Sequence, residues 1–137
     1  MVSKRATAAP YTQYSIGLSG GDSLSWPAGS KLTFLFREDA SLQKGGYTTS
    51  DIDFSNWTHV CVVLDREANT VYVYIDGVVV PVTMDHDDML PTINNTSSLY
   101  IGSNPGIASF AYQGLIDEVR IYDVTLTEQE VQGITIP

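Results

Sequence analysis

Apolar and polar residues follow their clearest pattern between residues 56 and 80, where short apolar runs are separated by turn residues. Residues 60–65 and 70–80 are rich in β-branched and aromatic side chains, which pack well on a pleated surface. Asp76-Gly77 interrupts the second run, and both residue types tolerate the positive φ angles of a type I′ hairpin turn. The pattern predicts antiparallel strands joined by tight turns.

Both faces of the predicted strand at residues 70–75 are apolar or aromatic. Val71, Val73 and Ile75 fall on one face, and the intervening tyrosines fall on the other. Such a strand suits the inside of a two-sheet sandwich better than a sheet with one solvated face. We therefore assign Tyr74 to the core, together with the nearby Trp57.

The rest of the chain alternates short strands with polar loops. Further strands are predicted at residues 14–18, 24–26, 31–37, 47–50, 98–102 and 115–122. Loops are predicted at residues 38–46 and 83–95, and the second is long enough to carry function. Thr127 and Glu130 fit a capping box, and Gly133 stands where a helix would end. These elements predict an all-β sandwich with one short C-terminal helical turn.

Motifs in a fixed order run through the last two-thirds of the chain. They are N-W-T-H-V at 56–60, V-Y-V-Y-I-D-G at 71–77, L-Y-I-G at 99–102, G-L-I-D-E-V-R-I-Y at 114–122 and L-T-E-Q-E-V at 126–131. Together they resemble the laminin-G-like, concanavalin A-like jelly-roll domains. The resemblance implies an all-β, two-sheet antiparallel jelly-roll sandwich formed by residues 1–137 as a single domain.

A strand that usually opens this family would lie before Met1, so the resemblance implies a domain without the family's first strand. In such sandwiches that strand commonly pairs near the C-terminal one. Residues 114–122 are then expected to present unpaired backbone groups and an uncovered apolar face. We expect self-association or a partner chain to cover this open sheet edge. The alternatives are a sandwich that closes with fewer strands, or a chain cut from a longer protein.

Charge and cysteine content narrow the function classes. The net charge of −9 argues against nucleic-acid binding, which needs clustered Lys and Arg, and it is compatible with cation binding or simple solubility. The single cysteine, Cys61, is expected to be a small buried hydrophobe. No apolar run is long enough for membrane insertion, and the first ten residues lack a signal peptide's apolar segment.

The sequence favours a binding protein over an enzyme. Related glucanases place two carboxylates on one strand face, whereas the adjacent Asp117 and Glu118 would point to opposite faces. No nucleophile elbow or phosphate-binding loop is present. We expect a non-catalytic carbohydrate-binding or adhesion module on an extracellular, cell or virion surface. The alternative is a structural assembly protein, such as a decoration, fibre or coat subunit.

Candidate ligand and metal residues follow from this expectation. A glycan or glycoprotein partner would stack its sugar rings on exposed aromatic side chains, and the candidates are Tyr11, Trp26, Tyr47 and Tyr112. A calcium cofactor would need several carboxylate oxygens, which Asp85, Asp87 and Asp88 could supply from one loop. The family resemblance adds Asp117. Core packing of the aromatic residues and a solvated acidic loop are the alternatives.

Overall fold

The computed structural model describes residues 2–6, 12–18, 30–39, 41–88, 93–103 and 112–135. The predicted strand at residues 24–26 and the candidates Tyr11 and Trp26 lie outside these ranges. The described elements are β1 Val2–Arg5, β2 Gln13–Leu18, β3 Leu32–Arg37, β4 Gln43–Thr48, β5 Val60–Asp65, β6 Thr70–Ile75, β7 Val78–Val80, β8 Val82–Asp87, β9 Leu99–Ile101 and α1 Glu128–Ile134. No described helix has the length and apolar content needed to cross a membrane.

The described strands form two antiparallel sheets, which confirms the predicted sandwich. The large sheet has six strands in the order β8-β4-β3-β2-β1-β9, and the small sheet has three in the order β5-β6-β7. Every pairing between neighbouring strands is antiparallel. Chain order and spatial order differ in the large sheet, and with the short α1 the fold is the predicted all-β jelly-roll type.

The core lies between β3 and β6, where alternate residues of each strand meet. Leu32, Phe34 and Phe36 of β3 pack against Val71 and Val73 of β6, and all of these side chains are buried. The side-chain period of two in β-strands explains why every second residue takes part. We call the face of the large sheet that carries Phe34 the inner face, and the opposite one the outer face.

The hairpin between β6 and β7 confirms the turn that was predicted from Asp76-Gly77. Both residues have positive φ, 50° and 77°, as a type I′ turn requires. The Asp76 carboxylate accepts a hydrogen bond from the His59 N–H at 2.8 Å, and the Asp76 N–H donates to the His59 carbonyl at 2.9 Å. The turn therefore also holds the start of β5.

The C-terminal helix confirms the predicted capping box. The Thr127 hydroxyl accepts from the Glu130 N–H, and the Glu130 carboxylate accepts from the Thr127 N–H. Val131 packs against Tyr74, whose assignment to the core is confirmed, and fixes α1 on the small sheet. The predicted end at Gly133 is wrong, because the helix continues to Ile134 and is capped by Thr135, whose N–H and hydroxyl both donate to the Val131 carbonyl.

Two predicted loops contain strands. β4 begins at Gln43 within the loop predicted at residues 38–46, and β8, Val82–Asp87, covers the first five residues of the loop predicted at residues 83–95. Gly45 and Gly46 weaken the local strand signal, but Gly46 lets the β4 backbone approach Thr83 of β8, since any Cβ there would overlap the Thr83 carbonyl. A β-bulge interrupts this pairing between Gly45 and Gly46.

The strand predicted at residues 115–122 is wrong as a structural element. The structure assigns no strand there, and every residue from 113 to 125 is exposed. Glu118 has a φ of 51°, with its N–H donating to the Asp117 side chain at 2.8 Å, so the backbone bends where a strand would stay extended. Trp57 was also assigned wrongly to the core, since 68% of its surface is exposed.

Candidate functional site

The outer face of the large sheet carries mostly small and polar side chains. Strand register places them in rows that run across the sheet. One row consists of Gly17, Thr33, Tyr47 and Thr83, and the next consists of Tyr100, Ser3, Ser15, Leu35, Gly45 and His86. The two rows differ sharply from the inner face, where phenylalanine, leucine and valine form the core.

Polar atoms on this outer face are buried without a hydrogen-bond partner. Ser3 is 0% exposed and Thr33 is 1% exposed, and neither hydroxyl oxygen has a partner in the part of the chain that the structure describes. The side-chain carbonyl oxygen of Gln13, also buried on this face, is unpaired as well. An unpaired buried polar group costs about 1–3 kcal/mol, so each of these atoms lowers the stability of the fold, and none is accessible to an external ligand.

Tyr47 lies in the row that contains one of these unpaired hydroxyls. Its Cα partners are Thr33 on β3 and Thr83 on β8, and its side chain is half-buried. The hydroxyl oxygen of Thr49, two residues after Tyr47, lies 3.3 Å from that of Thr83. The structure therefore places Tyr47 near two exposed hydroxyl groups, and its role as a ligand residue stays a prediction.

Tyr112 does not join this row in the described structure. Its N–H donates to the Gly102 carbonyl at 2.7 Å, just beyond β9, and its ring lies over Gly114. Any Cβ at position 114 would overlap that ring. Tyr112 thus anchors the start of the exposed segment at residues 113–125, and its candidacy as a ligand residue stays a prediction.

The acidic residues of β8 lie at the rim of the large sheet, each with a separate partner. Asp87 pairs with the ammonium of Lys44, whose side chain is buried on the inner face. Asp88 accepts from the Gln43 N–H at 3.1 Å, and Asp85 lies 3.5 Å from the His86 ring nitrogen Nε2. The β-bulge turns these neighbouring carboxylates away from a common centre.

The candidate calcium residues are not gathered into one cluster in the described structure. No group of three or more His, Cys, Asp or Glu side chains comes together in the described ranges. A cation would also have to displace Lys44 from Asp87. Asp117 belongs to the exposed segment after Gly114, where its carboxylate accepts from the Glu118 N–H. The predicted calcium site stays a prediction, and no part of the proposal below depends on it.

The outer-face residues Ser3, Gln13 and Thr33 were not among the candidates from the sequence. Their strands show the necessary signal, because polar or small residues alternate with the apolar residues of the inner face. The alternation identifies which face is polar, but whether a hydroxyl has a partner depends on neighbouring strands. Whether these side chains have hydrogen-bond partners could therefore be determined only from the three-dimensional structure.

Comparison with known protein families agrees with the architecture and with the early resemblance. Residues 4–132 match a laminin-G-type family described as the Concanavalin A-like lectin/glucanases superfamily. No curated protein and no solved structure gives a significant match. The family match indicates a carbohydrate-binding or adhesion-type module. Because the match spans nearly the whole chain, the chain belongs to the concanavalin A-like lectin/glucanases superfamily.

Proposed function

We propose that this chain is a non-catalytic glycan-binding module whose ligand lies on Tyr47 and the neighbouring edge strand β8, the accessible end of the outer face. The observation that carries the proposal is the half-buried Tyr47 beside the exposed hydroxyls of Thr49 and Thr83. A glycan offers hydroxyl groups that can both donate and accept, which suits the two threonine hydroxyls. It also offers flat C–H faces that can stack on a tyrosine ring.

Each group at this end of the outer face has a distinct role in this proposal. The exposed hydroxyls of Thr49 and Thr83 can donate to or accept from sugar hydroxyls. The unpaired oxygens of Ser3, Gln13 and Thr33 are buried within the protein and do not contact the ligand. Tyr47 supplies the partly apolar surface that orients a ring.

A binding role without catalysis is supported by the state of the candidate reactive groups. Glu118 forms an ion pair with Arg120 at 2.7 Å, and Asp117 accepts from the neighbouring backbone N–H. The Cys61 thiol lies under α1 against Val63 and Tyr74, and burial raises its pKa, so it stays protonated near neutral pH. Neither arrangement provides the acid and nucleophile that glycoside hydrolysis uses.

We place the function on an extracellular, cell or virion surface, where glycans and glycoproteins are displayed. The net charge of −9 fits a ligand that is recognised through hydroxyl groups and ring faces, since such a ligand needs no basic surface. The partner in this proposal is therefore a neutral glycan or the glycan of a glycoprotein.

A glycan array tests the proposal directly. The wild-type chain should bind a defined set of glycans, and Tyr47→Ala should reduce that binding. Tyr72→Ala is the matched control, because Tyr72 is a partly exposed tyrosine of the small sheet. No binding to any glycan, or equal loss in both variants, would overturn the proposal. Repeating the array in EDTA tests the calcium prediction, which loss of binding would support.

A second candidate function is a structural assembly subunit, such as a decoration, fibre or coat protein. It is favoured by the exposed apolar side chains between residues 113 and 125, which include Leu115, Ile121 and Val124. An assembly protein would bury these residues between subunits. A chain that associates but binds no glycan would favour this candidate.

A further inference from the structure

One surface of the molecule combines exposed apolar side chains with unpaired backbone. It follows the segment at residues 113–125, which the structure assigns to no strand. The apolar side chains exposed along it are Leu115, Ile116, Val119, Ile121, Tyr122 and Val124. Natural monomers rarely expose contiguous apolar patches of this kind without a use for them.

A sheet edge and an uncovered sheet face accompany this segment. Among the described strands, β5 pairs only with β6, so the other side of Val60–Asp65 has no strand neighbour. The small sheet covers β3 but leaves the inner-face residues Leu99 and Ile101 of β9 exposed. The sandwich therefore has room for additional strands beside β5 and over β9.

The sequence of residues 115–122 is suited to form such an additional strand. Residues 115–122 include Ile116, Val119 and Ile121, whose β-branched side chains favour strands. The positive φ of Glu118 costs about 1–2 kcal/mol for a residue with a side chain, and pairing as an extended strand would remove that cost. Within one chain the segment stays bent and unpaired. Each copy thus holds both an open strand edge and a strand-forming segment.

We propose that two copies of this chain associate by reciprocal strand addition, in which residues 115–122 of each copy pair with the β5 edge of the other. With two-fold symmetry, the β5 edge of each copy pairs with the segment of the other. No unpaired β5 edge is then left, so association stops at a dimer. The exposed side chains are predominantly apolar, which favours a matching apolar surface over a charged partner. The pairing lies on the small sheet and does not involve the glycan-binding face proposed above.

The accessible surface has the size that this dimer requires. The chain exposes 8002 Å² at a mass of 15.0 kDa. A folded monomer of that mass exposes about 7,000 Å², so the excess is about 1,000 Å². A standard interface buries about 800 Å² on each partner. The surface of the chain is therefore large enough for one such interface.

Sedimentation equilibrium over about a hundred-fold range of concentration tests the dimer. The wild type should reach twice the monomer mass of 15.0 kDa and stop there. Ile121→Asp, at an exposed position of the segment, should raise the dimer dissociation constant about tenfold or more without changing the fold. Val79→Asp on β7 is the matched control, because it is similarly exposed on the opposite edge of the small sheet.

Hydrogen exchange provides the readout that locates the interface. Amides of residues 60–65 and 115–122 should become protected as concentration rises, and Ile121→Asp should abolish that protection. A monomer at every concentration would overturn the proposal and leave the surface to a different kind of partner. A mass that keeps rising beyond the dimer, or dissociation by Val79→Asp and not by Ile121→Asp, would also overturn it. Glycan binding by Ile121→Asp should stay unchanged, so this inference and the proposed function can fail separately.

Discussion

Thr33 and Thr48 lie on neighbouring strands and are each 1% exposed, but only the Thr48 hydroxyl has hydrogen-bond partners. The Thr48 oxygen accepts from the Leu32 N–H at 3.2 Å and donates to the Ser50 carbonyl at 2.8 Å. The Thr33 oxygen has no partner in the described structure. Two buried residues of one type thus have opposite hydrogen-bond states on opposite faces of the large sheet.

This contrast predicts opposite effects of the same substitution. Thr33→Val removes an unpaired hydroxyl and adds a strand-favouring residue, so it should raise the free energy of unfolding by about 1 kcal/mol. Thr48→Val leaves the Leu32 N–H and Ser50 carbonyl without a partner and should lower it by about 1–3 kcal/mol. Urea denaturation measures both. A loss of stability in Thr33→Val would show that its hydroxyl has a partner in solution.

The ion pair between Lys44 and Asp87 leads to a second prediction. The Lys44 side chain is buried beside Phe36, whereas Asp87 is 67% exposed. Lys44→Met replaces a buried charge with an apolar chain and should be neutral or stabilising. Asp87→Asn removes the negative charge that the buried ammonium faces and should cost about 1–2 kcal/mol. Urea denaturation of both variants tests whether Lys44→Met is the more stable of the two. If Asp87→Asn is more stable than Lys44→Met, the ammonium of Lys44 is not buried as described.

Docking of α1 leads to a third prediction. Val131 is fully buried against Val63 and Tyr74, so Val131→Ala should lower the free energy of unfolding by about 2 kcal/mol. Val78→Ala is the matched control at an exposed position on β7, and it should change stability little. Thermal or urea unfolding monitored by circular dichroism distinguishes them. Equal effects of the two substitutions would mean that α1 is not packed on the small sheet.

The capping box leads to a prediction about acid. The Thr127 backbone N–H, followed by its hydroxyl, donates to the Glu130 carboxylate and lowers the pKa of that group. Because the folded-state pKa lies below the unfolded value, the contribution is full above the unfolded pKa and is lost as pH falls through the folded one. Glu130→Gln should flatten the acid side of the stability profile. Melting temperatures measured from neutral pH into acid test this, and an unchanged profile would refute it.

Local signals in the sequence predicted the elements that are stabilised locally. Asp76-Gly77 predicts its hairpin because the turn requires positive φ at both positions, and few other residue pairs supply it. Thr127 and Glu130 predict the helix start because they form the capping hydrogen bonds themselves. The alternation along β6 predicted the core through Val71 and Val73. In each case the necessary contacts lie within a few residues or on one strand face.

The elements that were missed depend on residues distant in the chain. β4 contains glycines that disfavour a strand locally, and only its close approach to β8 explains them. Residues 115–122 have the composition of a strand, but a strand forms only where another provides hydrogen bonds. Trp57 follows a motif typical of buried positions, yet the small sheet that is present does not cover it. The unpaired Thr33 hydroxyl likewise required knowledge of its neighbours.

The affinity of Thr83→Val for a glycan identified on the array tests the central claim most directly, because the exposed Thr83 hydroxyl lies beside Tyr47. Isothermal titration calorimetry measures it beside the wild type, with circular dichroism to show that both are folded. If the Thr83 hydroxyl makes a hydrogen bond to the ligand, affinity should fall about tenfold, a loss of about 1.4 kcal/mol. Unchanged affinity in Thr83→Val would contradict a binding site at this end of the outer face.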